Sequence, residues 1–369
     1  MSDNHRQYHT IRKALRRCYP FEPEGRQARH LNTLAALVSG IVSSKRPHLS
    51  QIAQHVPDST LVESREKRFG RFIGNERIDW ETYFMPYAMH LLASLGTGPL
   101  TLVMDASAVG RGCATLMLSV VYQQRALPLA WVVSQGAKGH FDQTAHCALV
   151  DQVQSMLPER REIIFLGDGE FDGLDLLAHL QGYGWQYVCR TANNRVFKAG
   201  GLTFSFKEME LQPGQCRCMR RVDFTHQAYG PVQLILWWEQ GHKAPIYLVT
   251  NTRIVSTACR WYQKRWSIET FFSDQKSRGF HLHKSHLANP QRLMRLMMAA
   301  CLAYIWMIYL GCMALVDGWV GLIHRNNRCD WSLFQLGMRL RDFFLNELDY
   351  VPVDFQVMHE HWEHEKSVR

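Results

Sequence analysis

The segment Tyr262 to Lys276, YQKRWSIETFFSDQK, sets a phenol, two cations and a carboxylate at offsets of 3, 7 and 14 residues, in Tyr262, Arg265, Glu269 and Lys276. At roughly 100° per helical residue those four fall inside an arc of about 60°. Trp261, Ile268 and Phe272 share an adjacent arc, so the helix can dock on a core while its polar face looks into a site. The plain alternative is an Arg265/Glu269 pair at i,i+4 on a surface helix. Two aspartates upstream favour the site. Asp105 ends the apolar run of LTLVMDAS (100–107), and Asp168 ends that of REIIFLGDGEFDG (161–173). Both runs have the length and composition of buried strands. A carboxylate at the end of a buried strand is costly unless paired or bound to a cation, which makes both acids candidate metal ligands.

Between them, TLMLSVVYQQRALPLAWVVS (115–134) reads as two strands joined by a turn near Gln123 to Arg125. Three strands followed by a fourth that carries an acid is the order of a ribonuclease-H-like core. The chain here resembles the DDE transposases of bacterial insertion sequences, specifically the IS4-like family. Its signature YxxRxxxExxxxxxK is matched without a gap at Tyr262, Arg265, Glu269 and Lys276, and its first two acids fall on Asp105 and Asp168. The resemblance covers about residues 100 to 315. Many relatives carry Arg after the second acid, where this chain has Gly169.

The resemblance implies cut-and-paste transposition by transesterification of DNA phosphodiesters. Asp105, Asp168 and Glu269 are the implied catalytic residues, holding two Mg²⁺ ions for which Mn²⁺ can substitute. Arg265 would grip a phosphate with its planar fork, Lys276 another as a point charge, and Tyr262 would donate its hydroxyl to a phosphate near the element's end. If a hairpin forms, an aromatic platform must hold an unstacked base, with Trp237 and Trp238 as first candidates and Trp266 third. The implied partners are terminal inverted repeats and target DNA, bridged by a homodimer, in the bacterial cytoplasm. A catalytically inactive, DNA-binding relative is the alternative, although the three acids and the four-residue signature are all present.

Composition is consistent with this reading. The 369 residues are 46% hydrophobic with a formal charge of +9 and a pI near 9.1, which suits a polyanion partner and two or three domains. Arg12, Lys13, Arg16 and Arg17 form one basic cluster; Arg65, Lys67, Arg68, Arg71 and Arg77 form another within 13 residues. Ten cysteines without a CxxC pair suit reduced thiols. His281, His283 and His286 lack cysteines or acids at zinc-ligand spacing and read better as a solvated or phosphate-facing loop. Leu296 to Val316 carries no charge over 21 residues, long enough to cross a bilayer, yet it directly follows the acidic helix and reads as a buried core helix.

The expected fold is therefore α/β, a mixed sheet flanked by helices with a β insertion and a helical DNA-binding domain. Residues 1–95 are assigned to that helical domain: an amphipathic helix through ARHLNTLAALVSGIVSS, two helices around a Pro57/Asp58 turn, and one more through IDWETYFMPYAMHLLASLG. Arg65, Arg68 and Arg71, at i,i+3,i+6, are candidate DNA contacts. Residues 96–190 and 256–320 form the two parts of the core. Residues 191–255 form the β-rich insertion, and 321–369 are a candidate dimerisation region.

Overall fold

Strands rich in Val, Ile, Leu and Phe on both faces must be covered on both sides. That requirement organises the molecule. The computed structural model describes residues 3–136, 141–325, 329–348 and 350–358. Six helices come first: α1 (Asp3–Arg17), α2 (Gly25–Ser44), α3 (Leu49–Gln54), α4 (Val62–Gly74), α5 (Trp80–Tyr83) and α6 (Met85–Ser94). Strands β1 (Leu100–Val109), β2 (Cys113–Tyr122) and β3 (Arg125–Gln135) follow, then α7 (Gln143–Gln154), β4 (Ile163–Gly167), α8 (Leu174–Gly182) and β5 (Gln186–Thr191). Next come β6 (Val196–Ala199), β7 (Leu202–Ser205), β8 (Cys216–Phe224), β9 (Tyr229–Trp237) and β10 (Ile246–Thr250). Helices α9 (Val255–Gln263), α10 (Ser267–Gln275), α11 (Pro290–Val316), α12 (Val320–Ile323) and α13 (Leu333–Glu347) complete the chain.

All ten strands join one sheet in the order β3-β2-β1-β4-β5-β10-β9-β8-β6-β7. β1 is antiparallel to β2 and parallel to β4, and β4 is parallel to β5. The strands expected as an insertion are present, but they extend the central sheet. β10 pairs directly with β5 and carries β9 and β8 outward from it. The molecule is thus mixed α/β, with one large mixed sheet flanked by helices.

The helical expectations hold with two changes. Pro86 cannot continue the hydrogen bonding of a preceding turn, and the helix expected over 78–96 divides at Phe84 into α5 and α6. In α2 the apolar stripe has widened: its residues are buried almost continuously from Leu31 to Val42. The reason is α11, which packs against α2, α4, β3 and α13. It contains the charge-free segment, and 78% of its most apolar window is buried within the protein. Helix α13 and residues 351–358 also pack inward, with Phe355 against Tyr87, so the described part of the C-terminal region belongs to the same hydrophobic core as α1 to α6.

Polar ties join the two ends of the chain. Arg341 of α13 is buried and donates to Gln7 Oε1 (2.7 Å) and Ser43 Oγ (2.8 Å), while Arg295 of α11 donates to the carbonyls of Ile73 and Ile78. Where α11 crosses α13, no side chain fits between the backbones. A Cβ at Gly337 would lie 1.8 Å from the Met307 carbonyl oxygen, and one at Gly311 2.0 Å from that of Leu333. Gly337→Ala should therefore lose about 3 kcal/mol in urea denaturation by forcing the helices apart. Gly182→Ala, whose Cβ meets nothing within 4 Å, should stay within about 0.5 kcal/mol of the parent.

Candidate active site

Asp105 and Asp168 lie towards the same end of two neighbouring strands. In the parallel pair β1/β4 the last registered partners are Val103 and Leu166, and Asp105 and Asp168 each follow that pair by two residues, Asp168 in the turn just past β4. Asp105 is 2% exposed. The backbone stops at Asp168 because its Oδ1 accepts from the Glu170 N–H (2.9 Å) while its carbonyl accepts from Phe171 (3.1 Å), a turn closed by the aspartate's own side chain. Gly167 is needed just before it, since a Cβ there would strike the Phe171 side chain at 2.6 Å.

The segment bearing the third acid is helical but not one regular α-helix. Residues Lys264–Trp266 tighten into a 3₁₀ turn between α9 and α10, and Lys276 lies past the end of α10 with φ −102° and ψ −102°. A 3₁₀ turn advances by about 120° per residue, so the expected single arc is broken in the middle. Arg265 and Glu269 still meet, with Nη2 2.6 Å from Oε1. The same guanidinium reaches towards Asp105, Nη1 lying 3.9 Å from Oδ2. Arg265 thus bridges the first and third acids while itself buried to 5% exposure. Burial alone would lower its pKa, but Tyr262, Glu269 and Asp105 together outweigh that and hold it above the ordinary value. Trp266 lies under the guanidinium, which sits 4.6 Å from the ring centroid.

Tyr262 is buried, and burial raises its pKa against the opposing pull of Arg265 and Arg190. Its hydroxyl is therefore a donor throughout the neutral range. Lys276 donates to Ser107 Oγ at 2.6 Å, two residues beyond Asp105 on the same strand face. The four signature residues consequently gather near Asp105, which lies in the middle of β1 and not at its end as expected, because pairing with β2 continues to Val109.

Several residues at this site escaped the sequence reading. Ser107 could have been found from the two-residue period of β1. Arg190 could not: the β4/β5 offset, carried one residue past Gly167 and Cys189, places it beside Asp168, and it is exposed there. His146 of α7 is buried near Asp168, and burial lowers its pKa against the pull of Asp142 and Asp168. Asp172, in the same GDGEFDG run, accepts from Thr191 Oγ1 (2.6 Å) and from both Nε and Nη2 of Arg195 (3.1 and 3.0 Å), which ties the loop after Asp168 to β5.

Other candidates fall elsewhere. Trp237 and Trp238 are half-buried at the end of β9, Trp238 with its indole N–H on the His242 carbonyl. Trp266, third in the sequence order, is instead the exposed one at 57%. With Arg260 and Lys264 it lines a cleft of about 1180 Å³ that none of the three acids touches. The basic row on α4 is likewise divided. Arg65 donates to the carbonyls of Ala53, Val56, Asp58 and Thr60, groups left without helical partners by the turn between α3 and α4, and Arg68 pairs with Asp58 at 2.7 Å. Only Arg71 of the three is fully exposed.

Three carboxylates are the hard oxygen donors that Mg²⁺ takes, and two are aligned by adjacent strands, so the donor set fits such an ion in kind. Among the described residues, however, no three His, Cys, Asp or Glu side chains lie together closely enough to hold a metal. The Arg265 guanidinium occupies the ground between Asp105 and Glu269, so it is the group that must yield if the acids close.

No curated protein matches the chain. Among solved structures it is similar to one of piggyBac transposase in a synaptic complex with hairpin DNA, at 9% sequence identity and a TM-score of 0.44, over 92% of this chain and 76% of that one. Residues 58–306 match the family described as transposase DDE domain, a span that contains all three acids and the whole Tyr262 to Lys276 segment. The chain belongs to the transposase DDE domain family.

Proposed function

We propose that this protein is a metal-dependent transposase that cuts the ends of its own mobile element and joins them to target DNA, with Asp105, Asp168 and Glu269 as its catalytic acids. The observation that supports this reading is that Arg265 reaches both Asp105 and Glu269, while Asp168 follows β4, the strand parallel to β1 that carries Asp105. The strand order β3-β2-β1-β4-β5 supports a ribonuclease-H-like core, and the ungapped helix signature supports an IS4-like insertion-sequence enzyme acting as a homodimer on two ends.

Asp105, Asp168 and Glu269 would hold two Mg²⁺ ions, which when bound would activate water or a 3′-hydroxyl and stabilise the departing oxyanion. The chain's own groups do the rest. Arg265 moves its planar fork from Glu269 to a phosphate, with Trp266 holding the plane of the guanidinium. Lys276, braced by Ser107, places a point charge on a neighbouring phosphate. Tyr262 donates its hydroxyl to a third oxygen. Arg190, exposed beside Asp168, supplies the cation that Gly169 cannot. Trp266, exposed on one side and backed by Arg265 on the other, is better placed than Trp237 or Trp238 to stack an unpaired base.

Asp105→Ala, Asp168→Ala and Glu269→Ala should each abolish Mn²⁺-dependent nicking of a terminal-repeat duplex while leaving duplex binding intact. Cleavage at the parental rate by any one variant removes that residue from the site. An inactive relative would instead bind the duplex and never nick it.

Arg265→Lys should reduce cleavage by about a hundredfold despite keeping the charge, because an ammonium cannot reproduce a two-point fork. Lys276→Arg should be milder. If Arg265 serves only as a helical partner of Glu269, Arg265→Lys will cut normally and lose at most about 0.5 kcal/mol of stability.

A further inference from the structure

The loop between α10 and α11 is not used by the chemistry above, and its composition is one-sided. From Lys276 to Arg295 the sequence contains no Asp or Glu, and neither does the stretch from Gly25 to Pro57. The fold brings these two acid-free segments together. His286 of the first lies against His48 of the second, ring centroids 4.6 Å apart, and His281 is close enough to Arg46 for that charge to act on it.

The loop is firmly built. Phe280 and Leu282 are buried, and the His281 N–H donates to the Lys276 carbonyl (2.9 Å). The Arg111 N–H, in the turn between β1 and β2, donates to the Leu287 carbonyl at 2.8 Å. Between the apolar anchors the imidazoles of His281 and His283 turn outward, with ring centroids 6.1 Å apart. His281 and His286 both have left-handed backbone, at φ +54° and +59°, which a non-glycine residue adopts at a cost of about 1 kcal/mol. His283, Lys284, His286 and Arg46 are exposed, and His281, His48 and Lys276 are partly so. A continuous band of basic side chains therefore runs from Lys276 at the edge of the acid site, through His283, Lys284 and His281, to Arg46, His48 and His286, with Lys276, Lys284 and Arg46 as its fixed cations.

We propose that this band is a phosphate track, which leads one strand of duplex DNA from the acid site across to the N-terminal helices and strengthens its grip as its histidines take up protons. The inference rests on the transposase reading. Basic side chains held on a loop pinned at both ends can contact backbone phosphates, and base identity plays no part in such contacts. Burial lowers the pKa of His48, and so do His286 and Arg46. His281 is lowered by burial and by Lys284, Arg46 and His283, and His283 by burial and by Lys284 and Lys276. These three imidazoles are thus neutral at pH 7.5 without DNA, and a phosphate beside them favours their charged form.

The test measures duplex binding by fluorescence anisotropy in EDTA, as a function of salt, at about pH 7.5 and about pH 5.5. The parent is compared with a variant carrying His281→Asn, His283→Gln, Lys284→Gln and His286→Asn, where asparagine tolerates the two left-handed positions. For the parent, the slope of log affinity against log salt should steepen by about one to three on acidification as charged histidines displace more counterions. The variant should lose about one unit of slope at the higher pH, for Lys284, and most of the acid-dependent gain. Unchanged slopes in a variant with the parental melting temperature overturn the track. Mn²⁺-dependent nicking of the same duplex by the parent, lost in Asp105→Ala, shows in that event that the transposase reading survives alone. A parent that binds no DNA at either pH overturns both.

Discussion

A buried carboxylate needs a counter-charge, and Asp105 sets that condition for the rest of the site. It lies in the middle of β1, 2% exposed, on a sheet covered on both faces. Leaving such an ion uncompensated would cost several kcal/mol. Arg265, almost equally buried, reaches Asp105 with one nitrogen and Glu269 with another. That pair of contacts fixes how α10 sits against β1, and hence where Tyr262 and Lys276 arrive. The helix serves the acids, and its 3₁₀ turn at Lys264–Trp266 is the distortion that lets Arg265 face inward while Trp266 faces solvent.

The remainder of the fold holds that geometry against a large scaffold. Helix α11 touches the N-terminal helices, β3 and α13, so the elements before and after the sheet share one core with it. Close approach at Gly311 and Gly337 lets the α11 and α13 backbones meet directly, and Arg341 and Arg295 tie these two helices to polar groups in the N-terminal helical region. A site built from one strand, one turn and one helix needs such a frame, because an error of about 1 Å in any of the three is enough to impair chemistry.

How much of this was legible in the sequence depended on the range of the interaction. Asp105 and Asp168 could be read because an acid at the end of an apolar run is a local pattern, and the Tyr262 to Lys276 spacing because helical periodicity is local too. The charge-free helix could be read as a core element from its position, although hydropathy alone also allows a membrane span. The arginines of α4 were misleading for a physical reason. Spacing at i,i+3,i+6 describes a row on a helix, but Arg65 turns back onto four carbonyls of a loop whose course no periodicity records. The rank of the tryptophans was also hidden, since exposure is settled by what packs over each ring. Arg190 became visible only through β4/β5 register, a contact between residues whose sequence separation carries no pattern of its own.

On the proposed reading Arg265 would be both structural and functional without contradiction. Its raised pKa keeps it cationic across the working range, so a move from Glu269 to a DNA phosphate exchanges one anion for another at constant charge. The guanidinium plane is already set by the Trp266 ring, so the exchange mainly repositions the fork and orders little that was free before. Freed from the guanidinium, Glu269 can then turn towards Asp105 and Asp168. On the proposed reading the acids are kept apart by the same cation that DNA would draw away, so that assembly of the site would depend on the arrival of its substrate.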